Sequence, residues 1–173
     1  MANAPNQRHY SSGLDRRSLI FGVALALKAG SANAACPPVQ ILFVCPAGSV
    51  KSAIAREALK QRAAREGLSV AVSSRGVHPE DHASAALLSN LKRDGLDPAS
   101  EPLRGLAPSD IAQADLIIAF DEASDEPKLL SARAWKTPSW NADYAAAKTD
   151  LDDRLTRLLI ELKVRPERPC AAP

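Results

Sequence analysis

The sequence predicts an α/β fold in which a four-stranded parallel sheet carries helices on both faces. Two short apolar runs, at residues 39–44 and 116–120, are too brief for buried helices and indicate strands inside a sheet. Segments whose apolar residues have helical spacing separate the strand-like segments. Strands and helices therefore alternate along the chain, which is the order found in a parallel sheet covered on both sides.

The first half of the chain is expected to form two strand–helix pairs. After the strand at 39–44, a helix over residues 52–66 has an apolar inner face and stops at Gly67, since glycine favours helix ends. The second strand covers residues 68–73, where the side chains alternate in polarity. A helix over residues 83–94 follows, with leucines on its inner face and a glycine directly after it.

The second half is expected to complete the sheet and to end in a long helix. A short helix over residues 109–113 precedes the third strand, and a further helix is expected at 126–133. The fourth strand is placed at 135–137. The final helix is expected to begin at Thr149, with Asp152 three residues on as its capping-box partner.

Residues 1–34 have the pattern of a twin-arginine signal peptide rather than of a folded domain. Arg16 and Arg17 precede an apolar stretch at 19–27, which is too short to span a membrane stably. Small residues at 32–34 then fit a signal peptidase site. We therefore expect export to the periplasm. A plain N-terminal anchor and a disordered tail are the alternatives, and a lipoprotein modified at Cys36 is a weaker one.

The charge balance gives no argument for nucleic-acid binding. The whole chain carries 22 basic and 20 acidic groups, but four of the basic groups and one acidic group lie in the first 34 residues. The domain expected at residues 35–173 therefore holds 18 basic and 19 acidic groups. A basic face for a nucleic acid is thus not predicted, and no stable membrane span is expected in the mature chain.

The segment after the first strand has the pattern of an anion-binding loop with a nucleophile. Five residues separate Cys45 from Lys51 and Ser52, and the helix follows at once. A tight loop that opens a helix directs backbone N–H groups at one point, where an oxyanion binds and a thiolate is favoured. The alternative is that Cys45 is a small buried hydrophobic residue.

This segment, Phe43-Val44-Cys45 followed by five residues, a cation and a serine, resembles the signature of a known family. The family is the low-molecular-weight protein-tyrosine phosphatases and their arsenate-reductase relatives. The resemblance runs from about residue 41 to 162. It includes Ser74-Arg75-Gly76-Val77, Asp94-Gly95-Leu96-Asp97, Arg104, and Ala114-Asp115-Leu116-Ile117-Ile118 followed by Asp121.

The resemblance implies a role for each residue of the loop. Cys45 would attack phosphorus to form a cysteinyl-phosphate, and the Ser52 hydroxyl would stabilise its thiolate. The charge of Lys51 and the loop N–H groups would hold the phosphoryl oxygens. The other substrate-binding candidates are Ala47, Gly48, Ser49 and Val50, together with Trp140. Trp140 belongs to a cluster with Trp135 and Tyr144 near the expected rim of the site, which could form a wall for an aromatic substrate or serve ordinary packing.

Three positions depart from the family pattern as the resemblance defines it. Ser49 stands where the family usually has Asn. Lys51 stands where the family has Arg, so the charge is kept while the two-point grip of a guanidinium is lost. Ser139 stands where the family has its general acid, an Asp. Asp121 and Asp143 are the candidates to replace it.

These departures leave three functions open. The first is an exported phosphatase that acts on a phosphotyrosine or another aryl phosphate. The second is a catalytically weak or inactive oxyanion-binding protein. Arsenate reduction is a third and weaker option, because that chemistry needs further cysteines close to the site.

No metal or cofactor is expected, and the oligomeric state is left open. The segment His78-Pro79-Glu80-Asp81-His82 is interpreted as a solvated loop rather than as a metal site. Cys36 and Cys170 are expected to form a disulfide, because an oxidising compartment pairs spare thiols and the topology brings both chain ends to the edge opposite the site.

Overall fold

The structure, a computed structural model, describes residues 37–165. Its sheet has four strands, all parallel, so the predicted fold class is confirmed. The strands are β1 (Val39–Cys45), β2 (Val70–Gly76), β3 (Leu116–Phe120) and β4 (Arg133–Trp135), in the order β2-β1-β3-β4. The central strand β1 therefore has a neighbour on each side, and the carboxyl end of β1 is where Cys45 lies.

Helices cover both faces of this sheet. They are α1 (Lys51–Arg65), α2 (Ala85–Arg93), α3 (Pro108–Gln113) and α4 (Tyr144–Val164). Alternate residues of β1 point to opposite faces. On one face, Phe43 belongs to a large core with apolar residues of α1, α2 and α4; on the other, Val44 belongs to a smaller core that α3 helps to cover.

Two features of the second half of the chain differ from the sequence prediction. The helix expected at 126–133 is wrong, because two short 3₁₀ turns, Asp121–Asp125 and Pro127–Leu129, occupy this region. Proline lacks an N–H group, so Pro127 cannot continue a helix from the preceding turn. As a consequence β4 begins at Arg133, two residues before the expected strand.

The final helix begins earlier than predicted, at Tyr144 rather than at Thr149. Asp143 is its N-cap, and the carboxylate of Asp143 accepts a hydrogen bond of 2.9 Å from the backbone N–H of Ala146. This cap satisfies an N–H group that the helix cannot pair. The capping box expected further along the chain is therefore wrong.

Several sequence predictions fall outside the described residues. The signal peptide at 1–34 lies before them, and both cysteines of the expected disulfide, Cys36 and Cys170, also lie beyond their limits. Between residues 37 and 165, no helix combines the length and apolar character that crossing a bilayer requires. Over the same range, no three or more His, Cys, Asp or Glu side chains converge as they would around a metal ion.

Candidate active site

Cys45 lies at the carboxyl end of the central strand with its thiol at the base of the following loop. Its side chain is buried, with 4% of its surface exposed. The backbone N–H of Gly48 donates a hydrogen bond of 3.1 Å to Sγ, and the hydroxyl of Ser52 lies 3.2 Å from Sγ. Donors directed at sulfur stabilise a thiolate, which is the nucleophilic form of cysteine.

The loop from Pro46 to Val50, called the anion loop below, ends at a helix N-terminus that no side chain caps. Val50 is the N-cap of α1 and makes no side-chain capping bond, and the first turn contains no acidic residue. The N–H groups of a first helical turn have no partner within the helix, and the helix dipole favours a negative charge there. The loop therefore brings a thiol and an anion-binding helix end to the same place.

Two glycines allow the loop to lie directly against β2. Gly48 has a φ of +82°, a left-handed conformation that other residues rarely adopt. A Cβ atom on Gly48 would lie 2.7 Å from the backbone N of Gly76 and 2.9 Å from Cδ1 of Leu103. A Cβ atom on Gly76 would in turn lie 2.6 Å from the carbonyl oxygen of Ala47. The two backbones therefore approach too closely for any side chain.

The chain after β2 fixes the loop from outside by pairing with its polar groups. Three backbone N–H groups of this segment donate to three successive loop carbonyls, and a fourth donates to the Ser49 hydroxyl. The bonds are Val77 to Cys45 (3.1 Å), His78 to Pro46 (2.8 Å), Glu80 to Ala47 (3.0 Å) and His82 to the Oγ of Ser49 (3.0 Å). The segment expected to be a solvated loop is therefore the outer support of the anion loop.

Ser52 links the thiol to the surrounding backbone. Its side chain is fully buried, and its Oγ lies 3.2 Å from the carbonyl oxygen of Gly48 and 3.4 Å from that of Arg75. With Sγ of Cys45 also at 3.2 Å, the hydroxyl joins the strand end, the loop and β2. The role of Ser52 in stabilising the thiolate stays a prediction, because its one hydroxyl proton can go to sulfur or to either carbonyl oxygen.

Lys51 forms an ion pair that the sequence did not reveal. Its ammonium group contacts a carboxylate oxygen of Asp121 and donates to the carbonyl oxygen of Thr137 at 2.9 Å. The second carboxylate oxygen of Asp121 accepts from the Thr137 N–H at 3.0 Å. Asp121 itself has a φ of +51°, so a strained backbone conformation is kept at this point.

The remaining predicted site residues have other roles in this structure. The carboxylate of Asp143 caps α4. Trp140 has 4% of its surface exposed and packs edge-to-face on Tyr144 with 5.4 Å between ring centroids, so it is a packing residue and not an open wall. The Tyr144 hydroxyl donates to Asp94, and burial, with this hydrogen bond, raises the pKa of Tyr144.

Sequence reasoning did not assign a role to Gly76, and it considered Asp121 as an acid rather than as the partner of Lys51. Gly76 lies 26 residues beyond the end of the loop in sequence, and its close approach depends on strand pairing between Cys45 and Gly76. The signal for Gly76 was its place in the segment Ser74 to Val77. Only the topology, which sets β3 beside β1, brings Asp121 to Lys51.

The family comparison agrees with the geometry of this site. The family model of the low molecular weight phosphotyrosine protein phosphatases matches residues 40–161, which is most of the chain. The chain belongs to this family. The matched range includes the anion loop, β2, β3, β4, all of β1 after its first residue, and nearly all of α4. A comparison with curated proteins finds no significant match.

Solved structures share the fold at low sequence identity. YfkJ from Bacillus subtilis is 18% identical with a TM-score of 0.62, covering 75% of this chain and 98% of that chain. The YwlE arginine phosphatase from Geobacillus stearothermophilus is 22% identical with a TM-score of 0.57, covering 73% and 94%. A thioredoxin-dependent arsenate reductase from Corynebacterium glutamicum is 22% identical with a TM-score of 0.60, covering 75% and 64%. These likenesses establish the fold of the domain. The family match supports a phosphatase-like hydrolase.

The close contact at Gly48 predicts that Gly48→Ala weakens anion binding, with Gly67→Ala as the matched control. Both glycines have a positive φ, so each substitution should cost roughly 1–2 kcal/mol of folding free energy. Only the Cβ at Gly48 meets other atoms; at Gly67 there are none within 4 Å. Calorimetry with inorganic phosphate should show a loss of affinity of about tenfold or more, near 1.4 kcal/mol, for Gly48→Ala alone. Equal affinities in the two variants would contradict this account of the loop.

Proposed function

We propose that the domain hydrolyses a phosphomonoester through a covalent intermediate on Cys45. The observation that carries this proposal is the placement of Sγ, with the Gly48 N–H at 3.1 Å and the Ser52 hydroxyl at 3.2 Å, beside an uncapped helix N-terminus. A thiolate and an oxyanion site in one loop suit attack on a bound phosphoryl group.

The proposed reaction has two steps, and neither needs a metal. In the first, the Cys45 thiolate attacks phosphorus, an S–P bond forms, and the bond from phosphorus to the leaving oxygen breaks with its electron pair on that oxygen. In the second, water attacks phosphorus and loses a proton, the S–P bond breaks, and inorganic phosphate and the thiolate are released. The loop N–H groups of residues 47–51 would hold the phosphoryl oxygens in both steps.

The contacts of Lys51 define how it would serve the phosphoryl group. An ammonium group has three N–H donors, and two of them are engaged with Asp121 and the Thr137 carbonyl. One donor therefore remains for a phosphoryl oxygen, where an arginine would offer a planar pair. The Asp121 carboxylate also offsets the charge of Lys51, so we expect weaker oxyanion binding than an unpaired cation would give.

The proposed substrate class is an aryl phosphate, because the candidate acids are poorly placed to protonate a leaving group. Ser139 has no acidic proton near neutral pH, the Asp143 carboxylate caps α4, and Asp121 is ion-paired with Lys51. A phenolate leaves without protonation more readily than an alkoxide, so aryl phosphates would suffer least from a missing acid.

The second candidate function is an oxyanion-binding protein with little or no turnover. The ion pair between Lys51 and Asp121 and the serine at position 139 both favour it. Arsenate reduction is a weaker candidate. Cys45 is the one cysteine within residues 37–165 and is free, so any cysteine relay would depend on Cys36 or Cys170.

We also propose that the domain works in the periplasm after export by the twin-arginine route. Paired arginines before a short apolar stretch, and small residues at a peptidase site, support this proposal. Fractionation of cells that make the full chain should recover a shortened protein outside the cytoplasm. Replacing Arg16 and Arg17 with lysine should keep the uncut chain inside, and unchanged fractionation would contradict the proposal.

The direct test of the proposed function compares Cys45→Ser with Cys170→Ser. Cys45→Ser should abolish turnover of p-nitrophenyl phosphate, because the nucleophile is lost, whereas Cys170→Ser keeps the nucleophile and should retain turnover. Acid quenching of the wild type during turnover, followed by mass spectrometry, should find phosphate on Cys45. If the wild type binds phosphate tightly but shows no turnover and no adduct, the oxyanion-binding function is the correct one.

Restoring an acid should depend on the leaving group. Ser139→Asp should raise kcat by up to about 10²-fold for alkyl phosphates, within the range expected of general acid catalysis, and much less for p-nitrophenyl phosphate. Asp143→Asn is the control. Because asparagine caps a helix about as well as aspartate, it should change neither the stability nor the leaving-group dependence. Steady-state kinetics across a series of leaving groups measures the effect. Equal gains for all of them would show that residue 139 does not approach the leaving oxygen.

A further inference from the structure

Arg56 is a charged side chain inside the main core, one turn of α1 beyond Ser52. It has 2% of its surface exposed, and within the described part of the chain the other buried polar side chains are Ser52 and Ser74. Burying a guanidinium is costly unless its donors are paired. Its position on the apolar face of α1, next to Ala55, therefore requires an explanation.

The guanidinium of Arg56 joins three parts of the chain. It donates to the Ser74 hydroxyl at 2.7 Å, to the Pro98 carbonyl oxygen at 2.9 Å and to the Ser100 hydroxyl at 3.2 Å. Its Nε also donates to the Glu57 carboxylate at 2.6 Å. One side chain thus ties α1 to the end of β2 and to the turn at 98–100.

The end of β2 and the turn at 98–100 are both close along the chain to groups that position Gly76, and Gly76 contacts the anion loop. Ser74 is two residues before Gly76 in β2. The segment that follows the turn pairs with Gly76 from the other side. The Gly76 N–H donates to the Arg104 carbonyl at 2.9 Å, and the Leu106 N–H donates to the Gly76 carbonyl at 2.9 Å. Arg56 therefore fixes the two backbone segments that hold Gly76 in place, which are the end of β2 and the segment after the turn at 98–100.

Arg56 and the loop line the same cavity, which is open to solvent. Its volume is about 260 Å³, and Arg56, Ser74, Leu103 and the loop residues Gly48 and Ser49 are among the residues that line it. Close packing holds neighbouring groups in a protein core. Beside an open cavity that packing is incomplete, so the hydrogen bonds of Arg56 to Ser74 and to the turn at 98–100 gain importance.

The charge of Arg56 is balanced locally. Glu57 is in direct contact, and Glu101 lies 3.7 Å from the guanidinium. Burial alone would raise the pKa of Glu101, but a hydrogen bond from Lys60 and the charge of Arg56 outweigh it, so that pKa is lowered and Glu101 is ionised. Arg56 therefore adds little positive charge to the anion site, and its contribution is geometric.

We propose that Arg56 is a positioning residue for the anion loop. Its hydrogen bonds to Ser74 and to the turn at 98–100 fix the position of Gly76. The contact with Gly76 in turn positions the Gly48 N–H that contacts Cys45. This inference rests on the proposed function for its kinetic consequence but not for its effect on the thiol. A lysine could not replace Arg56, because one ammonium group cannot reach the separated oxygens that the guanidinium fork joins.

The test compares Arg56→Met with Arg62→Met, two equal changes on α1. Arg62 also links α1 to another helix, by an ion pair with Asp152 and a hydrogen bond of 3.1 Å to the Asp152 carbonyl, but it lies away from the loop. The first readout is the alkylation rate of Cys45 in the full chain against pH, followed on its own peptide by mass spectrometry. Arg56→Met should shift the onset of alkylation to higher pH, whereas Arg62→Met should keep the wild-type profile.

The second readout is kinetic, and it separates positioning from substrate binding. Arg56→Met should lower kcat by about 10- to 100-fold, as displaced catalytic groups do, with a smaller change in KM. Arg56→Lys should resemble Arg56→Met. A folded Arg56→Met protein with the wild-type alkylation profile would overturn the proposal.

A milder variant keeps the test decisive if Arg56→Met fails to fold. Ser74→Ala removes one partner of Arg56 and leaves its charge in place, and it should shift the alkylation profile in the same direction by a smaller amount. A wild-type profile in Ser74→Ala would then overturn the proposal. The alkylation measurement needs no turnover, so a wild-type protein without phosphatase activity would contradict the proposed function and leave this test intact.

Discussion

The site depends on one steric constraint, the contact between the backbones of Gly48 and Gly76. The amide of Gly48 can reach Sγ of Cys45 only because the loop lies flat against the end of β2, and neither glycine has room for a side chain. The outer segment from Val77 to His82 and the hydroxyl of Ser52 then fix the loop in this position. The order of the strands makes the contact possible, since β2 and β1 are neighbours and their last residues are paired.

The features that the sequence predicted are those set by local pattern. The strand at 116–120 was placed correctly, because a fully apolar run between polar segments has few alternatives in an α/β chain. The anion loop after Cys45 was also predicted, because a strand end, small residues and a helix start follow one another directly. The fold class followed from the alternation of elements, and the sheet confirms it.

The features that the sequence missed depend on contacts distant in the chain. Lys51 and its partner Asp121 are 70 residues apart, and only the adjacency of β1 and β3 joins them. Trp140 belongs to an aromatic cluster that suggested an open wall, yet packing on Tyr144 buries it. By its residue type, Asp143 could be a helix N-cap or a general acid. It is the N-cap because α4 begins at Tyr144, directly after it. Arg56 gave a signal, a charge within an apolar helical face, but its partners came from two other segments.

The short outer strand β4 bears on how the protein avoids self-association. An exposed sheet edge can pair with the edge of a second molecule and start an aggregate. β4 offers only three residues for such pairing, and its Arg133, which forms an ion pair with Glu161, places a charge at that border. At the opposite border, Gly76 of β2 is already bridged by Gly105. The border formed by β4 therefore offers little template for aggregation, whereas at the border formed by β2 the bridge covers the last of seven strand residues.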